Sequence, residues 1–331
     1  MKKRQKGQYN KQSNTPNYLD KNGKFILIYT QAHCKIKNNL INLTCNKNLL
    51  SKYNLKNLQF TLPEILKNKQ IKEVRIKPKF DFFEIVFVYS DEINYTQVNK
   101  NNNFLGIDLG VNNFLTCIDN INNKPFIIDG KKLKGFNYYF NKQLAKRKSN
   151  LEKINKTKTS KSIQNLWIKR ENKFNDSFHK ITKILTQYCL ENDISKVVIG
   201  YNKEWKQNIN LGKRNNQNFV QISHSNFIQK LKYKLENHGI KLKLQEESYT
   251  SKVDAIALEE IKKQEEYLGE RIYRGLFSSS TGRKINADVN GVLNIIRKES
   301  NCNKFVKTLA DNGVMLTPVK IRNYESNLNF L

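Results

Sequence analysis

From Phe25 to about Ser90 the apolar positions come in short alternating runs, FILIYT, INLTC, LQFTL, KEVRIKP and FFEIVFVYS, set apart by Lys- and Asn-rich turns. Runs of this length and period predict strands, and together a small β-rich domain over residues 24–100. Residues 1–23 ahead of it are polar, punctuated by Pro16 and Gly23, and predict a flexible leader. The polar stretch from Asp91 to Asn103 is the natural boundary, because at Phe104 the pattern changes. FLGIDLGVNNFLTCI predicts a strand, a tight turn and a second strand, and PFIIDG at 125–130 a third. Two long helical patterns follow at about 136–156 and 162–191, with Phe174, Phe178, Ile181, Leu185 and Cys189 near helical spacing, which predicts a helical hairpin over 136–191. KVVIG at 196–200 and IKLKLQEE at 240–247 predict strands, with a helix carrying Phe227, Leu231 and Leu235 between them. INADVNGVLNIIRK predicts a helix that begins near Ala287, with Val289, Val292, Leu293 and Ile296 on one face. Strands first, then strands alternating with helices, is the pattern of an α/β domain with a mixed sheet, here over 104–298, leaving 299–331 as a tail.

Charge changes the picture from a fold to a partner. The 331 residues carry 59 Lys+Arg against 29 Asp+Glu, a formal net charge of +30. AT-rich codon usage inflates Lys and Asn, but an excess this large calls for a polyanion, and nucleic acid is the expected one. Five widely spaced cysteines without a CxxC pair offer neither a disulfide framework nor a zinc ribbon. With no apolar stretch of membrane-spanning length, the expectation is a soluble, cytoplasmic protein with no membrane partner and no small-molecule cofactor.

The candidate chemistry is carboxylate chemistry. In FLGIDLG, Leu105, Ile107 and Leu109 share one strand face while Asp108 shares the other with Gly106 and Gly110, whose small size leaves room for a metal and a phosphate. A strand-end Asp making turn hydrogen bonds would look the same. Asp288 sits in a first helical turn, where the helix dipole alone also favours an acid. The acidic pair Glu246 and Glu247 lies between them in chain order, and three carboxylates converging from two strands and a helix can hold two Mg²⁺ ions. Alternation along IKLKLQEES puts Glu246 with Ile240, Leu242 and Leu244, and Glu247 on the opposite face, the one that matches Asp108. Glu247 is therefore the expected ligand and Glu246 the alternative. The four histidines show no metal-ligand spacing.

GIDLGVNN at 106–113, VVIGYNKEWKQ at 197–207, EESYTSK at 246–252 and INADVNGVLNI at 285–295, in this order, resemble TnpB, the OrfB-type insertion-sequence proteins related to type V CRISPR effectors. The resemblance spans about residues 16–298. It implies a RuvC, ribonuclease H-like core, a guide RNA derived from the element itself, target DNA cut on both strands, Asp108 and Asp288 as the outer metal ligands, and the β-rich domain as a wedge on the guide RNA. The family carries its middle acid at the end of the KVVI strand, where this chain has Gly200; a subset moves it to the neighbouring strand, which makes Glu247 or Glu246 its replacement. Most members have a four-cysteine zinc ribbon where residues 251–283 contain no cysteine, so no zinc is expected. Members also have a helical recognition portion ahead of a segment like PNYLDKNGKFILIYT, so the chain reads as a truncated or split member. A truncated, cleavage-deficient binder of RNA or DNA, and a guide-free structure-selective nuclease, are the alternatives.

Candidate nucleic-acid contacts follow from basic residues set among aromatics. In the loop at 201–219 these are Tyr201, Lys203, Trp205, Lys206, Lys213 and Arg214, where rings can stack on bases while cations follow phosphates. In the hairpin they are Lys146, Arg147, Lys169 and Arg170, and beside EESYTSK there is Lys252.

Overall fold

The structure, a computed structural model, describes residues 18–20, 23–80, 82–90, 101–155, 159–202, 222–300, 302–311, 318–322 and 324. The chain divides into two compact units, Met1–Glu92 and Ile93–Leu331.

The first unit contains β1 (Leu27–Thr30), β2 (Cys34–Lys37), β3 (Leu40–Leu43), a short helix α1 (Lys47–Lys52), β4 (Leu58–Thr61), β5 (Gln70–Pro78) and β6 (Phe83–Ser90). They form two three-stranded antiparallel sheets, ordered β1-β5-β6 and β2-β3-β4. Ile41 and Leu43 of β3 alternate inward, and with Leu62, Leu66, Ile71 and Val74 they make a small core. Ile71 and Val74 are three apart yet both buried, because the ladder with β6 is irregular between Ile71 and Glu73 and resets the period.

In the second unit the elements are β7 (Phe104–Leu109), β8 (Asn113–Asp119), β9 (Phe126–Asp129), α2 (Lys131–Asn155), α3 (Lys161–Glu191), β10 (Lys196–Gly200), α4 (His224–Glu236), β11 (Lys241–Gln245), β12 (Glu270–Tyr273), β13 (Leu276–Ser278), β14 (Lys284–Asn286), α5 (Ala287–Glu299), α6 (Asn303–Asp311) and β15 (Val319–Ile321). The main sheet is ordered β11-β10-β7-β8-β9-β15. β8 runs antiparallel to β7 and β9, whereas β10 is parallel to β7 and to β11. With the edge strand β15 set aside, the other five strands in this order, the second in the chain reversed, form the mixed sheet of the ribonuclease H-like arrangement that the sequence predicts.

The two faces of the sheet are both covered, which explains why β7 is almost wholly apolar. Leu105 and Ile107 point into a core with Phe178, Ile181 and Leu185 of α3 and Phe227, Leu231 and Leu235 of α4. On the other side Val289, Val292, Leu293 and Ile296 of α5 pack with Phe104 and Ile118. Each such buried aliphatic chain contributes about 1.5–3 kcal/mol, so α5 is firmly seated. Its start is fixed by Asn286, whose side-chain oxygen accepts from the backbone N–H of Asp288 at 2.9 Å and of Val289 at 3.3 Å.

The cysteine-free stretch folds around carboxylates. Asp254, fully buried, accepts from the backbone N–H of Ile256 and Ala257 on one oxygen, and from Ser279 Oγ at 2.7 Å and Ser280 N at 2.8 Å on the other. Glu259 accepts from Asp254 N and Leu268 N. The three-stranded β12-β13-β14 sheet follows.

One expectation is corrected here. Residues 299–331 are not only a tail, since they supply α6, which adds Val306 and Leu309 to the α5-side core, and β15, which pairs in parallel with β9 at the sheet edge. With three residues, β15 is too short for its alternation to stand out in the sequence.

Candidate active site

Asp108 is the penultimate residue of β7, on the face turned toward α5 and away from Leu105 and Ile107. Gly291, one turn into α5, lets the helix lie close, since a Cβ there would stand 3.2 Å from Asp108 Oδ2. This approach brings Asp288, in the first turn of α5, against Asp108. Burial first, and the Asp288 charge second, push the Asp108 carboxyl up to about 7.

Glu247 reaches the same end of the sheet from the other side. It stands two residues beyond β11, in a turn held by its N–H donating to Asn202 Oδ1 at 2.9 Å and its carbonyl accepting from Thr250 Oγ1 at 2.8 Å. Its side chain lies over Gly200, where a Cβ would come within 2.4 Å of Glu247 Oε1. The glutamate thus fills the space that a side chain at the end of β10 would take. Burial, then the charges of Asp108 and Glu246, raise its carboxyl to about 8.

Glu246 is placed otherwise than alternation implied. Pairing with β10 ends at Gln245 opposite Gly200, so period two no longer governs the next residue. Instead of joining Leu242 and Leu244, Glu246 bonds Lys298 near the end of α5 and accepts from the N–H of Ser248 at 2.7 Å. Although burial works against it, these bonds hold its carboxyl below the ordinary range. Leu244 itself is 44% exposed, so the apolar stripe is weaker than it looked.

Asp108 and Asp288 border a cleft of about 680 Å³ that is also lined by Asn113, Lys131, Lys134, Arg271, Arg274 and Lys320. Asp288 accepts from Asn113 Nδ2 at 2.6 Å and faces Arg271 at 3.7 Å. Among the described residues, no three carboxylate, imidazole or thiolate groups stand close enough to hold an ion as a set. The donors that fit a divalent cation are therefore the Asp108 and Asp288 pair, with Glu247 next to Asp108. All are hard oxygen donors, and both raised carboxyls, Asp108 and Glu247, are raised first by burial and then by neighbouring negative charge.

The sequence-derived nucleic-acid contacts divide. Lys146 and Lys169 are exposed on the hairpin, and Lys252 is exposed with its ammonium 5.7 Å from the Tyr267 ring centre. Arg170 is not a surface cation. It lies 4.5 Å from the Phe174 ring centre and 5.2 Å from that of Phe140, and donates to Asn137. It is thereby built into the contact between α2 and α3, and burial lowers its pKa. Arg147 donates to the Ser162 carbonyl at 2.5 Å, bracing the hairpin turn. Tyr201 packs against the α3/α4-side core. Lys203, Trp205, Lys206, Lys213 and Arg214 lie outside the described residues. Sequence reasoning missed Asn113, Lys131, Lys134, Arg271, Arg274 and Lys320; Asn113 alone stood inside a quoted motif.

Against known proteins, residues 84–206 match the family model OrfB_IS605, described as a probable transposase, and residues 224–295 match the Cas12f1-like TNB domain. These two matches support a TnpB-type protein. Asp108 lies in the first matched stretch, Glu247 and Asp288 in the second. No curated protein matches it. Among solved structures, a Cas12f1–sgRNA–target DNA complex aligns at 19% identity and a TM-score of 0.49, covering 76% of this chain and 51% of the other. A CRISPR-Cas12f ternary complex aligns at 16% identity and 0.42, covering 86% and 66%. The chain thus spans about half the length of the first protein and two thirds of the second. No helix among its described residues is long and apolar enough to cross a membrane.

Proposed function

We propose that this TnpB-type chain is an RNA-guided, Mg²⁺-dependent DNA endonuclease whose centre is Asp108, Glu247 and Asp288. The observation that carries the reading is the pairing of Asp108 with Asp288 at the end of β7, on a cleft rimmed by Lys131, Lys134, Arg271, Arg274 and Lys320, with Glu247 near Asp108. Asp108 and Asp288 would hold the metal, and Glu247 would join them when an ion draws it in. Bound there, Mg²⁺ supplies an activated water and stabilises the leaving 3′ oxygen. The chain's own part is positional. β7 and α5 fix the two aspartates on rigid elements, and the rim cations neutralise the phosphates of a strand lying in the cleft. The +30 charge supports a large polyanionic load, assigned here to the guide RNA and its target DNA.

The test is cleavage of a guide-matched target by purified protein carrying RNA from its own locus. Asp108→Ala, Asp288→Ala and Glu247→Gln are each expected to lower single-turnover cleavage by about 10³-fold or more while target binding persists. Wild-type protein that binds its target without cutting it, at any Mg²⁺ level, would leave a binding protein instead. Should Glu246→Gln be dead and Glu247→Gln normal, the third ligand is Glu246.

A further inference from the structure

Asp288 is held from a direction that the proposed chemistry does not use. Its Oδ2 accepts from Asn113 Nδ2 at 2.6 Å, and the other end of that amide, Oδ1, accepts from Lys320 Nζ at 3.2 Å. An ammonium only donates and a carboxylate only accepts. An amide caught between the two therefore has a single orientation, oxygen to the lysine and nitrogen to the acid. Lys320 is anchored in turn by Asp129, 3.5 Å away and with its side chain only 4% exposed. The other oxygen of Asp129 accepts from Lys131 N at 2.8 Å, at the start of α2. Strand geometry delivers this relay, because Asn113 and Asp129 are register partners and β15 lies parallel to β9 with Lys320 opposite Ile127. Asn113 occupies Oδ2 of Asp288, and the remaining oxygen, Oδ1, already faces the positive charge of Arg271 at 3.7 Å.

We propose that Asn113 and Lys320 are positioning residues that lock the Asp288 carboxylate, Oδ1 outward, for a divalent cation, so that β15 is a working part of the centre. The inference rests on the metal-dependent reading above and adds to it two residues and a strand. Without Lys320 the carboxylate still draws the amide nitrogen, but the Asn113 side chain is held at one end only, and the Asp288 carboxylate loses its fixed pose.

The experiment is Mn²⁺ binding to the full chain with its bound RNA, followed by electron paramagnetic resonance, alongside thermal melting. Asn113→Ala and Lys320→Met are expected to weaken the tight Mn²⁺ site about ten-fold or more, the range for lost outer-shell partners of a metal ligand. Lys320→Arg, which can still donate to the amide oxygen and pair with Asp129, restores most of that loss, and Asn113→Ala, which leaves the Lys320–Asp129 pair in place, separates positioning from a purely structural role at the sheet edge. Asp288→Ala is the control and removes the site. If Asn113→Ala and Lys320→Met bind Mn²⁺ as the wild type does while Asp288→Ala does not, the positioning role is wrong and the metal reading stands. If Asp288→Ala also binds as the wild type, the metal reading falls and this inference with it. Should Lys320→Met melt early because Asp129 loses its partner, Asn113→Ala carries the decision alone.

Discussion

Gly200→Ala tests the placement of Glu247 with a single methyl group. A Cβ at Gly200 would stand 2.4 Å from Glu247 Oε1, 2.9 Å from its Cγ and 2.4 Å from Ile295 Cδ1. Carbon contacts relax only at about 3.5–4.0 Å, so a neighbour must shift by about 1 Å. Ile295 is 1% exposed within packed α5 and Glu247 is half-buried, so the carboxylate gives way more and the Ile295 contact stays tight. Overpacking costs about 1–3 kcal/mol where nothing can yield. Against Ile295 part of that cost remains, and Gly→Ala at an ordinary backbone angle offsets about 0.4–1 kcal/mol through the unfolded chain. Net stability should fall by about 2 kcal/mol or less, several degrees of melting temperature at most. Cleavage should suffer far more, because a catalytic group misplaced by about 1 Å costs about 100-fold. The assay is single-turnover cleavage of the guide-matched target by Gly200→Ala, Glu247→Ala and the double variant. With the carboxylate already gone, the added methyl has only Ile295 to displace, so the double variant should cut little worse than Glu247→Ala. Gly200→Ala cutting within about three-fold of wild type, or costing as much again on top of Glu247→Ala, would refute the reasoning.

Three further outcomes concern regions away from the cleft. Glu299, with its side chain 7% exposed, bonds Lys196 at 2.9 Å and Lys243 at 3.0 Å. Burial opposes ionisation, but these bonds win and hold its carboxyl low. A depressed folded pKa stabilises above the unfolded value of about 4.3 and is lost as pH falls through the folded value. Glu299→Gln should therefore cost about 1–2 kcal/mol at pH 7, discounted because Lys243 is half exposed, and the gap to wild type in thermal melts should narrow at acid pH as the carboxyl protonates. An equal gap at both pH values would argue against the ion pairs. Asp254→Ala strands backbone donors of Ile256, Ala257 and Ser280 and should cost about 3 kcal/mol or more, read as lost hydrogen-exchange protection across 254–283. Elemental analysis should find no stoichiometric zinc, since Ser251–Arg283 offers no thiolate or imidazole; one tightly held zinc per chain would refute this.

Where period and cap chemistry are local, the sequence is legible. Asp108 opposite Leu105 and Ile107, Asp288 in the turn after the Asn286 cap, and the hairpin with Phe174, Phe178, Ile181 and Leu185 inward all follow from spacing alone. Where a rule ends with its element, legibility ends too. Period two stops at Gln245, so the bond from Glu246 to Lys298 depends on where α5 finishes, which the strand does not encode. Arg170 reads as one more cation on a basic helix until α2 is folded beside it and Phe140, Trp167 and Phe174 surround it. Arg271 and Arg274 reach the cleft only because the β12-β13 strands turn back toward α5, a long-range placement with no signature in composition.

The relay from Lys320 to Asp288 also sets a timetable. Asn113 is 175 residues from Asp288 and 207 from Lys320 along the chain, so the centre is made of contacts of very high sequence separation. Closing such loops must be paid for in entropy before the contacts reward it, and topologies of this kind fold slowly. Synthesis runs from the N-terminus, so β7 and its acid leave the ribosome long before α5, and β15 later still. A growing chain already carries most of its positive charge and can attract a polyanion, yet it lacks the partners that shape Asp288. Charge precedes the centre, and the order is written into the strand sequence of the sheet.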